Sequence, residues 1–196
     1  MKIIFLDRDG VINKFPGLGK YVTKVKDFHF IPGALKAIKD LTDAGYMIFI
    51  VSNQAGVARG VYTKAKLDQI TAHMLKEIKK TGGRIKKIFY CTHTSEQNCD
   101  CRKPKIGSIK RAFGMINKDI RSADKSFFVG DAHFDMQAGR NAGLKTILVL
   151  SGIDHRREMK KLGVKPDYTV KNLLEATRII LNENTCHSCC CGSRAH

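Results

Sequence analysis

Short apolar runs alternate with longer amphipathic segments along the 196 residues of the chain. The apolar runs predict five strands and a short sixth strand at the sheet edge, namely IIFL, MIFIV, KKIFYC, SFFVGD, KTILVL and YTV. The amphipathic segments predict helices over PGALKAIKDLTDAGY, TKAKLDQITAHMLKEIKKTGG, GSIKRAFGMI, DMQAGRNAG and NLLEATRIILNEN. Apolar strands that alternate with helices are typical of a parallel sheet covered on both faces. The pattern therefore predicts one α/β domain over residues 1–183.

Local signals mark the ends and the buried faces of the first two helices. Gly45 is the expected stop of the first helix, whose apolar face holds Leu35, Ile38 and Leu41. Thr63 is the expected N-cap of the second helix, and the apolar stripe of that helix consists of Leu67, Ile70, Met74, Leu75 and Ile78. Between the first strand and the first helix, KFPGLGKYVTKVKDF is expected to form a long loop or flap.

Polar residues follow the predicted strands at the points where the strands end. In parallel α/β sheets, ligands bind at the carboxyl ends of the strands, so we expect these residues to share one site. They are Asp7 and Asp9 after the first strand, Ser52, Asn53 and Gln54 after the second, a Cys/His segment with Arg102 and Lys103 after the third, and Asp131 and Asp135 after the fourth.

The closely spaced Asp7 and Asp9 resist joint ionisation unless a cation lies between them or one holds a proton. DRDG could be a plain turn; a calcium loop is disfavoured, because VINKFPG lacks the further oxygen ligands and the final Glu. Alternatively, Asp7 and Asp131 on neighbouring strands hold Mg²⁺, a cation that prefers oxygen ligands. The Ser52 hydroxyl and the Lys103 ammonium suit the outer oxygens of a phosphoryl group.

Taken together, these segments resemble the four motifs of the haloacid dehalogenase (HAD) superfamily. The resemblance extends to about Leu150 and consists of an apolar strand with DxDG, an apolar strand with Ser, a Lys in a later loop, and GDxxxD, in that order. It implies a three-layer, Rossmann-like HAD fold with a mostly parallel sheet and no large cap domain. It also implies that the chain is an enzyme that transfers phosphoryl groups through an aspartyl-phosphate.

The resemblance assigns a role to each residue of the motifs. Asp7 would attack phosphorus, and Asp9 would protonate the leaving alkoxide and then deprotonate water. The Asp7 carboxylate, the Asp9 backbone carbonyl and Asp131 would hold Mg²⁺. Ser52 and Lys103 would stabilise charge on the transferred group. In addition, Asp135 would orient its neighbours, and the acidic residue at position 9 favours phosphatase over dehalogenase chemistry.

A second cluster of metal-binding residue types lies in CTHTSEQNCDCRKPK. Cys91, His93, Cys99 and Cys101 form a Cys₃His set, which is the composition of a closed structural zinc site. Zn²⁺ bound to this loop, residues 91–101, would fix the adjacent Lys103 in place. Chance clustering of cysteines is the alternative.

The Cys/His segment, with DRDGVIN and SNQAGVARG, resembles the capless HAD branch of heptose 1,7-bisphosphate 7-phosphatases and histidinol-phosphate phosphatases. This resemblance implies substrate contacts from Asn53, Gln54, Arg102 and the flap residues Gly19, Lys20 and Tyr21, with Arg59 as a further phosphate contact. The chain departs from the branch in its short segment between His93 and Cys99 and in Ala132, where the heptose enzymes tend to carry Lys.

The net charge of +17 fits either a solvated basic surface or a field that attracts an anionic substrate, phosphate or nucleic acid. No apolar run approaches the ~20 residues of a membrane span, and no export signal is evident, so we expect a cytoplasmic monomer without a membrane partner. The Cys-rich residues 184–196 are expected to form a flexible tail.

The sequence thus favours a Mg²⁺-dependent sugar-phosphate phosphatase with a zinc-stabilised loop, acting on D-glycero-D-manno-heptose 1,7-bisphosphate at the 7-phosphate. Histidinol phosphate and the 3′-phosphorylated ends of nucleic acids are alternative substrates. A non-catalytic basic zinc module that binds nucleic acid is the alternative from another functional class. The chain shows no alternation of basic and aromatic residues of the sort that binds single strands, which disfavours nucleic acid.

Overall fold

A six-stranded sheet forms the centre of the fold in the computed structural model, which describes residues 2–121, 126–153 and 156–185. The strand order is β3-β2-β1-β4-β5-β6, and neighbouring strands pair in parallel throughout, which confirms the predicted parallel sheet. The strands are β1 (Ile3–Leu6), β2 (Met47–Asn53), β3 (Lys87–Cys91), β4 (Phe127–Gly130), β5 (Lys145–Val149) and β6 (Tyr168–Val170). The winding direction reverses between β1 and β4, and α/β proteins bind ligands at such a reversal.

Helices cover both faces of the sheet, as the sequence predicts. They are α1 (Ala34–Asp43), α2 (Lys64–Lys80), α3 (Gly107–Met115), α4 (His133–Asn141), α5 (Arg156–Lys161) and α6 (Leu173–Thr185). One apolar core joins a face of the sheet to α1, α2 and α6, and a second joins the other face to α3 and α4. Side chains of each strand alternate between the two cores: in β1, Ile4 and Leu6 enter the first, and Ile3 and Phe5 the second.

The end signals of α1 and α2 are confirmed. Gly45 follows α1 with φ +78°, and the Thr63 hydroxyl accepts a hydrogen bond from Lys66 N at 3.3 Å, as an N-cap does. The predicted apolar stripe of α2 is wrong at one position. Leu75 is 36% exposed, whereas the other four residues of the stripe are buried.

The flap over residues 14–28 contains a single 3-10 turn, Val25–Asp27, and no other regular element. Among the described residues, no inserted element is large enough to be a cap domain. None of the helices in the described ranges combines the length and the apolar character that a membrane span needs. The predicted flexible tail starts too early, because residues 184 and 185 belong to α6, and the rest of it, residues 186–196, lies outside the described residues.

Candidate active site

The neighbouring strands β1 and β4 bring two predicted site residues together. Leu6 pairs with Val129 in the sheet, and Asp7 N donates a hydrogen bond to Val129 O at 3.0 Å. Asp7 and Asp131 therefore follow adjacent strands at the same edge. Together with Asp135 they form a buried group in which one carboxylate oxygen of each residue lies within 4.8 Å of the others. The three acids predicted to be near one another thus share one buried site.

Two glycines leave the space that the Asp131 carboxylate occupies. A Cβ at Gly10 would lie 2.2 Å from Asp131 Oδ2, and a Cβ at Gly152 would lie 1.9 Å from the same atom. Gly10 also has φ +79°, a conformation that L side chains rarely adopt. Any side chain at either position would displace the carboxylate, so both glycines are required for the present position of Asp131.

Burial of the acids changes their protonation. Burial raises the pKa of Asp131 well above its usual value, and the carboxylates of Asp135 and Asp7 raise it further. Burial also raises the pKa of Asp135, to about 6, although the neighbouring Lys103 ammonium opposes this shift. In the protein without a cation, the acidic group therefore retains protons that isolated aspartates would lose.

Lys103 supplies the positive charge of this buried group. Its Nζ lies 2.9 Å from Asp7 Oδ1 and 2.6 Å from Asp135 Oδ1, and it donates a hydrogen bond to Val51 O at 2.8 Å. Burial alone would lower the pKa of Lys103, but the carboxylates of Asp135 and Asp7 outweigh burial and raise it. Lys103 therefore remains an ammonium at neutral pH, in contact with the carboxylate of Asp7.

The carboxyl end of β2 holds the loop that carries Lys103. Asn53 Oδ1 accepts a hydrogen bond from Lys103 N at 3.1 Å, and Asn53 Nδ2 donates one to Lys103 O at 3.2 Å. Ser52 is buried and lines the same cavity as Asp7 and Asp131. This side of the site therefore offers a hydroxyl and a fixed ammonium next to the acids.

Asp9 is held by side chains from two segments. Its Oδ1 accepts hydrogen bonds from Asn13 Nδ2 at 2.8 Å and from Arg8 Nη2 at 3.0 Å. Its Oδ2 accepts from Arg8 Nη2 at 2.9 Å and from Gln54 Nε2 at 2.8 Å. Arg8 and Gln54 are both fully buried. Gln54, for which the family resemblance implies a substrate contact, thus directs its amide to other groups of the protein.

A cavity of about 230 Å³ is lined by Asp7, Asp9, Ser52 and Asp131. The flap forms one wall with residues 15–21, so Gly19, Lys20 and Tyr21 line the cavity. Arg59 and Arg102 do not line it: Arg59 is exposed, and Arg102 Nη1 donates a hydrogen bond to His93 O at 3.3 Å.

Several residues of the site are absent from the sequence-based prediction. They are the buried partners of Asp9, Arg8 and Asn13, the Gly152 that makes room for Asp131, and the apolar lining residues Phe15, Leu18, Phe134 and Ile153. A basic residue between two acids was an available signal for Arg8. The apolar residues give no such signal, because Phe134 has the pattern of an ordinary helical residue and the packing of the others depends on how their loops fold.

The four Cys/His residues of the loop after β3 also lie together. Sγ of Cys99 is 3.5 Å from Sγ of Cys91 and 3.3 Å from Sγ of Cys101, and His93 Nδ1 is 3.3 Å from Cys101 Sγ. Burial raises the pKa of Cys91, and contacts with the sulfurs of Cys101 and Cys99 raise it as well, to about 12 in all. Burial acts in the same direction on Cys99, but hydrogen bonds from Cys101 and Cys91 prevail and lower its pKa to about 7. The four side chains could hold a metal ion.

Comparisons with known proteins find similarity to hydrolases and phosphatases. Residues 100–176 match the HAD-hydrolase-like family. The chain is 36% identical over 187 residues to the D-glycero-beta-D-manno-heptose-1,7-bisphosphate 7-phosphatase of Neisseria meningitidis serogroup B, covering 94% of this chain and 97% of that protein. It is 39% identical over 150 residues to the D-glycero-alpha-D-manno-heptose-1,7-bisphosphate 7-phosphatase of Campylobacter jejuni, covering 76% and 83% of the two chains.

A solved structure extends this similarity to the fold. The D,D-heptose 1,7-bisphosphate phosphatase from B. bronchiseptica, complexed with magnesium and phosphate, superposes with a TM-score of 0.84 at 32% sequence identity. The match covers 93% of this chain and 99% of that one. The chain is therefore similar to this enzyme in both fold and sequence.

Proposed function

The chain belongs to the HAD-like hydrolases, and we propose that it is a Mg²⁺-dependent phosphatase that hydrolyses the 7-phosphate of D-glycero-D-manno-heptose 1,7-bisphosphate. The observation that carries the proposal is the contact of the buried Lys103 with Asp7, which lines the cavity together with Asp131. This arrangement supplies a nucleophile, a counter-charge and a cation site at one point. The full-length similarity to heptose bisphosphate phosphatases supports this choice of sugar.

The acidic group suits Mg²⁺ in the chemistry of its donors. Buried carboxylates with raised pKa values signal charge that lacks a compensating cation, and carboxylate oxygens are the ligands that Mg²⁺ prefers. Asp7, Asp131 and the backbone carbonyl of Asp9 would hold the ion. Bound there, Mg²⁺ would neutralise charge on the phosphate and make the phosphorus more electrophilic.

In the first half of the reaction, the Asp7 carboxylate attacks phosphorus. The new bond joins a carboxylate oxygen of Asp7 to phosphorus, while the bond from phosphorus to the sugar oxygen breaks. Ser52 and Lys103 bind the outer phosphoryl oxygens, where negative charge is concentrated. Asp9 gives a proton to the departing sugar oxygen, so the sugar leaves as an alcohol.

In the second half, water replaces Asp7 on phosphorus. Asp9, now deprotonated, takes a proton from the attacking water. The bond between Asp7 and phosphorus breaks, which releases phosphate and restores both carboxyl groups to their starting protonation states. The flap residues Gly19, Lys20 and Tyr21 line the cavity and are positioned to contact the sugar side of the substrate.

We further propose that the Cys91–Cys101 loop binds Zn²⁺ in a structural role. Four ligands at zinc distances from one ion lie roughly 3.6–3.8 Å apart, and the sulfur and nitrogen atoms of the cluster are separated by 3.3 to 3.8 Å where they touch. Four protein ligands leave no position for substrate, so this ion would stabilise the loop rather than act in the reaction.

The direct test is a comparison of kcat/KM values for a panel of phosphate esters with Mg²⁺ present and after chelation. The panel contains both anomers of heptose 1,7-bisphosphate, histidinol phosphate and a 3′-phosphorylated oligonucleotide. We expect the highest value for one heptose anomer, with product analysis showing loss of the 7-phosphate. Asp7→Asn is the inactive control, and preference for histidinol phosphate or the oligonucleotide would contradict the proposed substrate.

A further inference from the structure

The carboxylate of Asp9 is surrounded by donors from side chains that do not reach the cavity. Resting on the proposed phosphatase function, we infer that Arg8 and Gln54 are positioning residues, which fix the plane of the Asp9 carboxylate so that its exposed edge faces the leaving oxygen of the substrate. Neither residue lines the cavity, whereas Asp9 does, and 17% of the Asp9 side chain remains exposed. The two residues therefore act on the reaction through Asp9.

Arg8 provides three of the contacts that define this plane. Its Nε and Nη2 atoms donate to Asp9 Oδ1 at 3.2 and 3.0 Å, and Nη2 also lies 2.9 Å from Oδ2. A guanidinium is planar and rigid, so contacts to both oxygens restrict rotation of the carboxylate. The guanidinium itself is fixed, because it is fully buried and lies over the ring of Tyr90 at 5.7 Å.

Gln54 fixes the opposite side of the carboxylate. Its Nε2 donates to Asp9 Oδ2 at 2.8 Å, and its Oε1 accepts from Arg8 Nη2 at 3.2 Å and from the Tyr62 hydroxyl at 2.5 Å. Arginine has only donors, so the contact with Arg8 sets which end of the amide faces Asp9. Because both ends of the amide are occupied, Gln54 is not a substrate contact in this arrangement.

This support matters because proton transfer depends on orientation. Asp9 lies in a tight turn in which Arg8 O accepts hydrogen bonds from Ile12 N and Asn13 N, at 2.8 and 3.1 Å. The turn fixes the backbone of Asp9 and adds one side-chain contact, from Asn13 Nδ2 to Oδ1 at 2.8 Å. Among the described residues, Oδ2 is held only by Arg8 and Gln54. An acid–base group has to lie within hydrogen-bond reach of the atom that it protonates, and general acid–base catalysis contributes about 10²–10⁴-fold.

The test uses two substrates that differ in their need for an acid. The sugar alkoxide leaves only with a proton, whereas nitrophenolate leaves p-nitrophenyl phosphate without one. We expect Arg8→Met to lower kcat/KM for the sugar bisphosphate about 100-fold and for p-nitrophenyl phosphate less than about 5-fold. KM for the sugar should change less than about 3-fold, because Arg8 does not touch substrate. Asp9→Asn should show the same selective loss, and Arg8→Met should add little in the Asp9→Asn background.

Two further variants separate positioning from folding. Gln54→Met keeps the Arg8–Asp9 pair and removes one donor to Asp9, so we expect a smaller loss of kcat/KM that again affects mainly the sugar bisphosphate. This variant tests the inference even when Arg8→Met does not fold. Tyr46→Phe removes a buried hydrogen bond to Ile180 O at the opposite edge of the sheet and is the stability control. It should lower the melting temperature and leave the ratio of the two kcat/KM values unchanged.

An equal loss on both esters in Arg8→Met and Gln54→Met, or no loss on either ester in both variants, would overturn the inference while leaving the proposed function intact. A wild-type protein that hydrolyses neither ester would overturn the proposed function, and the inference with it.

Discussion

At the scale of single residues, the site depends on three carboxylates that share one buried space with one ammonium. Lys103 contacts Asp7 and Asp135, while Asp131 has no cationic side chain at ion-pair distance among the described residues. Desolvated like charges oppose one another, so the site without a cation favours protons at Asp131 and Asp135. A divalent cation and protons therefore compete for the same oxygen atoms.

This competition predicts how the stability of the metal-free protein depends on pH. The pKa of Asp135 rises from 3.8 to about 6 on folding, and that of Asp131 rises as well. Between about pH 4 and pH 6, the folded state therefore binds more protons than the unfolded state. The acids therefore make the protein less stable as pH rises from about 4 through about 6. Repulsion within a chain of net charge +17 acts in the opposite direction, so the measurement is a difference between variants.

Melting temperatures of metal-free wild type and Asp131→Asn should be compared across this pH range. Relative to wild type, the variant should gain stability as pH rises, because it lacks one acid whose pKa is raised. At pH about 7, Mg²⁺ should raise the melting temperature of wild type more than that of the variant. Parallel pH curves, or equal stabilisation by Mg²⁺, would show that Asp131 does not bear the cation.

A second prediction concerns the glycine that makes room for Asp131. Gly152→Ala places a Cβ 1.9 Å from the present position of Asp131 Oδ2, so the carboxylate has to move. We expect kcat/KM to fall at least about 10-fold, on the scale of misplaced catalytic groups, and the apparent affinity for Mg²⁺ to fall with it.

Gly114→Ala is the matched control, because a Cβ at Gly114 meets nothing within 4 Å. It lies in α3 and should leave activity unchanged while stabilising the helix by up to about 1 kcal/mol. Full activity and Mg²⁺ affinity in Gly152→Ala would contradict the role assigned to this glycine.

Single residues differ in how far the sequence could predict their positions. Asp7, Ser52 and Asp131 were predictable because each follows an apolar strand, and parallel strands place their carboxyl ends at one edge. The burial of Gln54 and its bonds to Arg8 were not predictable, because they depend on how the turn after β1 meets the loop after β2. Gly152 was not predicted either, since its close approach to Asp131 exists only in the folded chain.

At the scale of elements, the loop between β3 and α3 joins the Cys/His cluster to the site. Cys101 is two residues from Lys103, and Ser108 in α3 donates a hydrogen bond from Oγ to Cys101 O at 3.2 Å. Asn53 at the end of β2 holds the backbone of Lys103 from the other side. Lys103 thus depends on the cluster on one side and on β2 on the other.

Loss of the proposed Zn²⁺ should therefore reduce activity through Lys103. We expect Cys99→Ser to release the proposed Zn²⁺, to lower kcat by about 10–100-fold, the effect of disturbing a supporting shell, and to speed tryptic cleavage after Arg102 and Lys105. Elemental analysis, kcat and the cleavage rate are the measurements. Glu96→Gln, an exposed change in the same loop, should retain the metal and the activity. Full activity in metal-free Cys99→Ser would contradict the dependence of Lys103 on the metal of the Cys/His cluster.

The sequence predicted most elements, and the misses have physical causes. The helix α5 was missed because Met159 is its only apolar residue, and a single residue gives no helical periodicity. The Met159 side chain is nevertheless buried against Met136 and Leu148. The helix α4 begins at His133, two residues before the predicted start. There, Ala132 N donates to Asp135 Oδ2 at 3.1 Å, a capping contact that cannot be recognised before Asp135 is placed.

At the scale of the whole molecule, the strand order explains why the site is where it is. The chain winds outward from β1 in one direction and from β4 in the other, which opens a crevice between them at the carboxyl edge. Asp7 and Asp131 flank this crevice, and the flap lies over it. The net charge of +17 has the sign that would attract the doubly phosphorylated sugar proposed as the substrate.

The most direct test of the account is to trap the phosphoryl group on Asp7. Asp9→Asn should still accept phosphate from ³²P-labelled p-nitrophenyl phosphate, whose leaving group needs no proton, but should hydrolyse the aspartyl-phosphate slowly for lack of a base. Acid quenching and peptide mapping should then find about one label per protein, on the peptide that contains Asp7 and labile to hydroxylamine. Steady release of nitrophenol while that peptide stays unlabelled would contradict covalent transfer to Asp7.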